Sequence, residues 1–438
     1  MFRKILLIFA LLAVAQSAFA IDKNELNLGF FERFNDNCLN YYINSAVDNN
    51  HSAKEAAARV EQYRQQAKYS LGNELPSFSV SANYLGIKIP QLDSFQLKKN
   101  AFLLPFMMNY EADFLLKNRD KTKSAKKSYE ASKYDEKSVY LSLVSDVASV
   151  YTNLLEYDEL IIIQKENVDI YTKLLEYESR KFERGVINST QLNNAAKQLE
   201  NAKNSLEKLQ KEQEVLLMQL AVLTGISPDC AKGLERGNFS NFEYSGTVPE
   251  EIPSDVIFAR PDVMAAETQL EKAKIDIRVA RKEFLPTFNI TGLWVFNTIA
   301  PGTFFSWESS LAAILAGATQ DIFAGGKKVA NLRYQKAKYE ELFENYKQVD
   351  LEAVKEVNTS LCFIKHDSAI EKNTLKTLAY EYNNLSNYKK KLARGTISNP
   401  EYLVNLSEFL HIQNDAVQAK NQRLVNYFTL YKAVGGKL

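Results

Sequence analysis

The sequence is poor in residues that interrupt helices and lacks long apolar runs. Its 438 residues include 16 glycines and 10 prolines, and residues 117–184 contain neither. Scarce glycine and proline are typical of chains dominated by long helices. No run of eighteen apolar residues follows Ile21, which excludes an inner-membrane protein built from helical spans.

Charge and motif content exclude further classes of function. The formal net charge is only +1, so nothing indicates nucleic acid as a partner. The sequence shows no nucleophile elbow, phosphate-binding loop or metal-ligand spacing, which makes an enzyme the least favoured class and leaves no expected cofactor or metal.

Cysteine and histidine are both rare and scattered. None of the three cysteines forms a C-x-x-C pair, and we expect small buried residues, with a single disulfide as the alternative. They are Cys38, Cys230 and Cys362. The histidines have no acidic or cysteine neighbours at ligand spacing, so we expect them on helix surfaces. They are His51, His366 and His411.

The N-terminus has the pattern of a secretory signal peptide over residues 1–20. "MFRK" supplies positive charge, "ILLIFALLAVA" an apolar core, and Ala18-Phe19-Ala20 a cleavage site. A retained membrane anchor is the alternative. No cysteine follows the cleavage site directly, so we do not expect a lipid anchor. The exported chain is then either soluble or a β-barrel.

The rest of the chain contains the same unit twice, at an offset of 210 residues. "AAARVEQYRQQAKYSLGNELPSF" from Ala56 aligns with "AETQLEKAKIDIRVARKEFLPTF" from Ala266, and "RGVINSTQL" from Arg184 aligns with "RGTISNPEYL" from Arg394. A two-residue slip separates Asp113 from Asp321. Repetition on this scale indicates a duplicated unit. We predict a first repeat at 21–226, a connector at 227–260 and a second repeat at 261–438.

Each repeat contains segments with the two-residue period of a β-strand. In "SFSVSANYL", Phe78, Val80 and Tyr84 alternate with polar residues. We predict one strand pair at about 76–114 and another at about 286–322. Each run is long enough for a tilted strand to cross a bilayer, and aromatic residues lie along the apolar face. A water-soluble sandwich is the alternative.

The remaining segments predict unusually long helices. A helix over residues 117–184 would be roughly 100 Å long at 1.5 Å per residue. Leucines recur every seven residues after each Arg-Gly turn, the coiled-coil period. They are Leu192, Leu199 and Leu206, and then Leu403, Leu410, Val417 and Leu424 in the second repeat, with Val417 in a leucine position. Helices this long cannot fold into a compact core, so their apolar stripes must be covered by each other and by other chains.

A glycine lies at each predicted turn between two long helices. Gly185 and Gly395 allow a backbone conformation that ends one helix and starts the next. Ser189 or Thr190 is expected to cap the following helix in the first repeat, and Ser398 or Asn399 before Pro400 in the second. The result is two helical hairpins, with tips at 184–190 and 394–400 that point the same way.

Four strands per chain cannot cross a bilayer alone, because an open sheet leaves unpaired backbone groups at both edges. Two copies would give eight strands filled by their own side chains. Three copies would give twelve strands with an aqueous lumen. We therefore predict a mixed fold of α-helix and membrane β-strand: a trimeric twelve-stranded outer-membrane β-barrel continued by a long periplasmic α-helical barrel.

The segment "VPEEIPSDVIFARPDVMAAETQLEKAKIDIRVARKEFLPTFNITG", Val248 to Gly292, resembles the central signature of TolC-like outer-membrane efflux proteins. Arg260-Pro261-Asp262 carries its helix start, with Pro261 in the first helical turn and Asp262 near the positive helix end. The resemblance covers essentially the whole mature chain. It implies the passive outer-membrane channel of a tripartite multidrug efflux system, in contact with lipid. The implied partners are a periplasmic adaptor and an inner-membrane transporter of the RND type.

The same resemblance implies two sets of site residues. The adaptor-docking residues would be those of the tips: Arg184, Gly185, Val186, Ser189, Thr190, Arg394, Gly395, Thr396 and Ser398. The family closes its periplasmic end with acidic rings just beyond these turns. The positions six and nine residues after each glycine are Gln191, Asn194, Glu401 and Val404. Only Glu401 keeps the charge. A second departure is Leu116, where the family often has glycine in the turn between strand and helix.

Two other classes of protein remain open from the sequence. A channel for type I protein secretion would use the same fold with a different inner-membrane partner. A soluble periplasmic coiled-coil scaffold would need no lipid-facing strands.

Overall fold

The computed structural model describes residues 26–88, 98–298, 307 and 310–438, so the predicted signal peptide lies outside the described residues. The chain forms two compact units. The first, here the helical unit, contains the described residues up to Ala58, Asp135–Pro261 and Asp350–Leu438; the second, here the sheet unit, contains Arg59–Tyr134 and Asp262–Val349.

Helices dominate the described residues. The α-helices are α1 (Gly29–Glu32), α2 (Asn37–Asn49), α3 (His51–Gly72), α4 (Lys117–Glu183), α5 (Ser189–Leu223), α6 (Ser254–Phe258), α7 (Pro261–Lys282), α8 (Lys327–Ala393) and α9 (Asn399–Ala433). The strands are β1 (Ser77–Val80), β2 (Asn83–Lys88), β3 (Lys98–Ala112), β4 (Thr287–Thr298) and β5 (Ser310–Thr319). None of these described helices has the length and apolar character needed to cross a membrane.

The duplication is visible in the helix boundaries. α4 and α8 each have 67 residues, and α5 and α9 each have 35. Each member of a pair begins 210 residues after its counterpart, as the two Arg-Gly sequences do. The turns between helices therefore fall at equivalent places in the two halves.

The strands form one antiparallel sheet in the sheet unit. β1 and β2 both pair with β3, β3 pairs with β4, and β4 pairs with β5. The register is continuous from Val80↔Phe106 to Asn83↔Leu103, and Ser81 N donates to Pro105 O at 3.1 Å between them. β1 and β2 thus behave as one interrupted strand. Among the described strands, β5 and the β1–β2 strand each have one neighbour only, so both sheet edges are unpaired.

The apolar alternation expected from the sequence appears on one face of the sheet. Phe106 lies beside Trp294 across the β3–β4 pair, and their ring centroids are 6.4 Å apart. Phe78 and Ile314 remain 76% and 81% exposed on that face. On the other face, Thr291 Oγ1 donates to Asn109 Oδ1 at 3.3 Å. A sheet that exposes large apolar side chains needs an apolar environment to cover them.

The turn before α4 contains an unusual left-handed residue. Leu116 has φ of 58°, and its counterpart at the offset of 210, Gly326, has φ of 79°. Asp113 closes the turn, since its carboxylate accepts hydrogen bonds from Lys117 N at 2.6 Å and Arg119 N at 2.8 Å. The position that departs from the family pattern therefore takes up the conformation that favours glycine.

Aromatic rings form the core of the helical unit. Phe31 stacks against Phe428 at 6.0 Å, and Phe34 stacks against Phe242 at 5.3 Å. Tyr151 is fully buried. These rings join residues from α1, the connector and α9, which are far apart in the sequence.

The predicted coiled-coil stripes are confirmed by burial. Leu199, Leu403, Leu410 and Leu424 are buried, while Leu192 and Leu206 are half-buried. Ile163 and Ile170 of α4 form one buried cluster with the two leucines at the start of the second stripe, Leu403 and Leu410. The first helix of one hairpin therefore packs against the last helix of the other.

Candidate functional site

The two hairpin tips share one backbone geometry. Gly185 N donates to Phe182 O at 2.8 Å and Val186 N donates to Lys181 O at 2.9 Å. Gly395 and Thr396 form the equivalent bonds at 2.9 and 3.0 Å. This pair of bonds is the Schellman motif, which satisfies the last carbonyl groups of a helix. The glycines have φ of 71° and 70°, so their positive φ confirms the reason for glycine at both turns.

The helix caps agree with the sequence at one tip only. Ser398 caps α9, because its hydroxyl accepts a hydrogen bond from Glu401 N at 3.3 Å, and Pro400 lies in the first turn. The predicted cap of α5 at Ser189 or Thr190 is wrong. Asn188 caps that helix by accepting from Gln191 N at 3.0 Å, while Gln191 Oε1 accepts from Asn188 N at 3.2 Å. The signal missed was a capping box with asparagine and glutamine in place of serine and glutamate.

The predicted docking residues lie on the surface. All nine are exposed: Arg184, Gly185, Val186, Ser189, Thr190, Arg394, Gly395, Thr396 and Ser398. No atom lies within 4 Å of a Cβ built on either tip glycine. Both tips therefore present an open surface whose shape is fixed by backbone hydrogen bonds.

The structure brings the two hairpins together just behind these tips. Asn399 Nδ2 donates to Tyr177 Oη at 2.6 Å. Further from the tips, the Ser407 hydroxyl donates to Asn167 Oδ1 at 2.8 Å in a buried position. These polar contacts continue the apolar cluster between α4 and α9, and we call this contact line the α4–α9 seam. The seam holds one tip in a defined position beside the other.

The four residues at the predicted gate positions all lie in the first two turns after the tips. Gln191, Asn194 and Glu401 are exposed, and Val404 is 48% exposed. The side chain of Gln191 is engaged in its own helix cap. Glu401 is the only acidic residue among the four and lies in the first turn of α9.

A buried carboxylate lies along the α4–α9 seam. Asn421 Nδ2 donates to Glu156 Oε2 at 2.6 Å and to Asn153 Oδ1 at 2.9 Å. Glu156 is only 9% exposed, and burial raises its pKa to about 7. No nearby cation offsets this effect, and the buried Oδ1 of Asn421 has no partner among the described residues.

Arg260 has a role that its sequence pattern did not reveal. Pro261 begins α7 and Asp262 lies in its first turn, as predicted. The guanidinium of Arg260 is buried and donates to Ala433 O at 2.9 Å and to Glu356 Oε2 at 2.7 Å. It therefore ties the end of α9 to α8, and the partners lie too far away in sequence for a local pattern to show them.

The cysteines differ from expectation, whereas the histidines agree with it. All three cysteines are free; Cys38 is half-buried, but Cys230 and Cys362 are exposed, so the prediction of burial is wrong for these two. Cys230 lies in a short 3-10 segment of the connector, and Cys362 lies beside the narrow buried stripe of α8. The histidines are all exposed on helices: His51, His366 and His411. Within the ranges that the structure describes, no three metal-ligating side chains lie together.

Comparison with known proteins identifies the family. Residues 42–226 and 252–436 match the outer membrane efflux protein family. SilC of Salmonella typhimurium, a probable outer membrane lipoprotein, is 24% identical over 431 residues, covering 95% of this chain and 92% of SilC. The antibiotic efflux pump outer membrane protein ArpC of Pseudomonas putida is 24% identical over 419 residues, covering 93% and 85%.

A solved structure supports the same assignment at the level of the fold. The CmeC outer membrane channel of Campylobacter jejuni matches with a TM-score of 0.85 at 24% identity, covering 93% of this chain and 88% of that one. The chain belongs to the outer membrane efflux protein family, a family of efflux proteins and not of enzymes. The predicted combination of long helices and strands, the outer-membrane location and the part in efflux are thereby confirmed.

Proposed function

We propose that three copies of this chain form the outer-membrane channel of a tripartite multidrug efflux system. In this proposal residues 1–20 are removed on export without addition of a lipid anchor. The repeats at 21–226 and 261–438, joined by the connector at 227–260, then supply equivalent parts of the channel. The observation that carries the proposal is a sheet with two unpaired edges in a chain of the outer membrane efflux protein family.

The sheet supports the trimeric assembly. An edge strand in hydrocarbon leaves its N–H and C=O groups unpaired, at several kcal/mol for each group. Pairing β5 of one copy with the β1–β2 strand of the next removes every edge when the ring closes. Three copies give twelve strands, and the face that carries Phe78, Trp294 and Ile314 meets lipid.

The tips support the proposed docking of a periplasmic adaptor. Their residues are exposed, and their shape is fixed by the Schellman bonds at Gly185 and Gly395. An inner-membrane transporter of the RND type would supply the energy, so the channel itself needs no catalytic residue or cofactor. Substrates would leave passively through the lumen.

We further propose that the tube narrows just beyond the tips. Three copies of Glu401 would form a ring of negative charge that favours cations, with Gln191, Asn194 and Val404 lining the same narrow zone. The exposed position of Glu401 in the first turn of α9 supports this placement.

Deletion of the gene and complementation test the proposed function. We expect the deletion strain to become more susceptible to several chemically unrelated antibiotics, and the wild-type gene to restore resistance. A matched strain that lacks only the cognate transporter should show the same change. Unchanged susceptibility in the deletion strain, with the protein shown to be expressed in the parent, would refute the proposal.

A further inference from the structure

The two hairpin tips differ in charge although their backbones are the same. At the offset of 210, the cations of the first tip are kept: Arg180, Lys181 and Arg184 correspond to Lys390, Lys391 and Arg394. The acids are not kept, because Glu176, Glu178 and Glu183 correspond to Ser386, Tyr388 and Ala393. The second tip also gains Lys389 in place of Ser179. No acidic residue remains between Glu381 and Glu401.

Ion pairing follows this difference. At the first tip, Lys181 Nζ lies 2.6 Å from Glu178 Oε1, and an Arg180 nitrogen lies 3.9 Å from Glu176 Oε2. At the second tip, no carboxylate of the described residues pairs with any of the cations. We call these four residues the basic collar: Lys389, Lys390, Lys391 and Arg394. Lys391 Nζ lies 5.3 Å from the centre of the Tyr388 ring.

The basic collar faces away from the packed side of α8. Leu385, Tyr388 and Leu392 are half-buried and mark that side, since their spacing of three and four residues follows the helical period. At 3.6 residues per turn, Lys390 and Arg394 lie opposite, and Lys389 and Lys391 flank them. All four are exposed.

Helix-dipole stabilisation explains only part of this pattern. Cations near a helix C-terminus are favourable, which accounts for the cations that both tips share. It does not account for the loss of three acids and the gain of a lysine at one tip only. Unneutralised, exposed like charges repel each other, and an acidic partner would relieve that repulsion.

We propose that the basic collar binds an acidic segment of the periplasmic protein that docks on the tips, and that the first tip makes a contact that depends less on charge. This inference rests on the proposed function, because it names the chemistry of the docking partner at that site. The two tips of one chain would then present different surfaces to the same kind of partner, which fixes the register of docking.

A charge-reversal pair of variants tests the inference. The first is the triple variant Lys389→Glu, Lys390→Glu and Lys391→Glu in full-length protein, expressed in the deletion strain. The matched control changes three exposed lysines on the same helix but away from the tip: Lys365→Glu, Lys372→Glu and Lys376→Glu. Both variants change the net charge equally. Abundance and trimer content in isolated outer membranes are measured for each, and a Lys→Gln version of the tip triple replaces the reversal if that protein does not assemble.

The expected results separate the tip from the control. Three exposed ion pairs correspond to roughly 3- to 100-fold in association, so the tip variant should lose most of the resistance that the wild-type gene restores, and the control should keep it. Selected suppressors of the tip variant should replace Asp or Glu by Lys, Arg or a neutral residue in one periplasmic protein.

Two results would overturn the inference. If wild type, tip variant and control all restore resistance equally, or if suppressors never alter an acidic residue of a periplasmic protein, the collar has no acidic partner, while the proposed function stands. If deletion of the gene itself leaves susceptibility unchanged, the proposed function and the inference are both wrong.

Discussion

Replacement of the buried Glu156 by glutamine should stabilise the helical unit at neutral and alkaline pH. Glu156 is 9% exposed, and its hydrogen bond to Asn421 does not offset the loss of hydration. Burial raises its pKa from 4.5 to about 7. A difference of this size between folded and unfolded chains corresponds to about 3 kcal/mol, at 1.36 kcal/mol per pKa unit.

The sign of the effect depends on pH. Below about pH 4.5 the carboxyl is protonated in both folded and unfolded chains, so no penalty exists. As the pH rises to about 7, the unfolded chain releases the proton first and folding loses stability. Above pH 7 the penalty is constant. Glutamine carries no charge, and its amide nitrogen adds a donor beside the unpartnered Asn421 Oδ1.

Thermal unfolding of the purified protein in detergent, followed by circular dichroism, measures this effect. We expect the Glu156→Gln variant to unfold at a higher temperature than wild type at pH 8, and the difference to shrink towards zero at pH 4. The control is Glu408→Gln, since Glu408 is exposed on α9, and it should match wild type at both values. Equal pH dependence in wild type and Glu156→Gln would show that Glu156 is not buried as a charge.

Three other substitutions test the turns and the gate. Leu116→Gly should stabilise the turn before α4 by about 1 kcal/mol, because the left-handed conformation penalises leucine, and Gly326→Leu should do the reverse; equal unfolding temperatures for both variants and wild type would contradict the strain. Gly395→Trp should raise drug susceptibility at normal protein abundance, because a large side chain covers the open tip and strains a residue with φ of 70°; wild-type resistance would refute docking there. Glu401→Gln should reduce cation selectivity in planar bilayers, and unchanged selectivity would rule out the acidic gate.

Local features of the sequence predicted the features that depend on neighbouring residues. Gly185 and Gly395 end helices because their left-handed conformation is a property of the turn itself. The stripe of Leu403 and Leu410 is buried because a seven-residue period keeps one helix side against its partner. The alternation in β3 and β4 likewise set which residues share a face of the sheet.

Features that depend on distant partners could not be predicted in the same way. Glu156 and Asn421 are 265 residues apart, and no period or motif links them. Arg260 was visible within a motif, but its contacts with Ala433 and Glu356 depend on tertiary packing. The wrong cap at α5 had a different cause, because Asn188 satisfied a local rule that serine and threonine in the next two positions obscured.

The oligomeric state of the processed chain tests the central claim most directly, because a sheet with two unpaired edges is only part of a membrane wall. The measurement is native mass spectrometry of the protein extracted from outer membranes in mild detergent. The account predicts one species with three copies of the chain. A monodisperse single chain that stays in solution without detergent would contradict it.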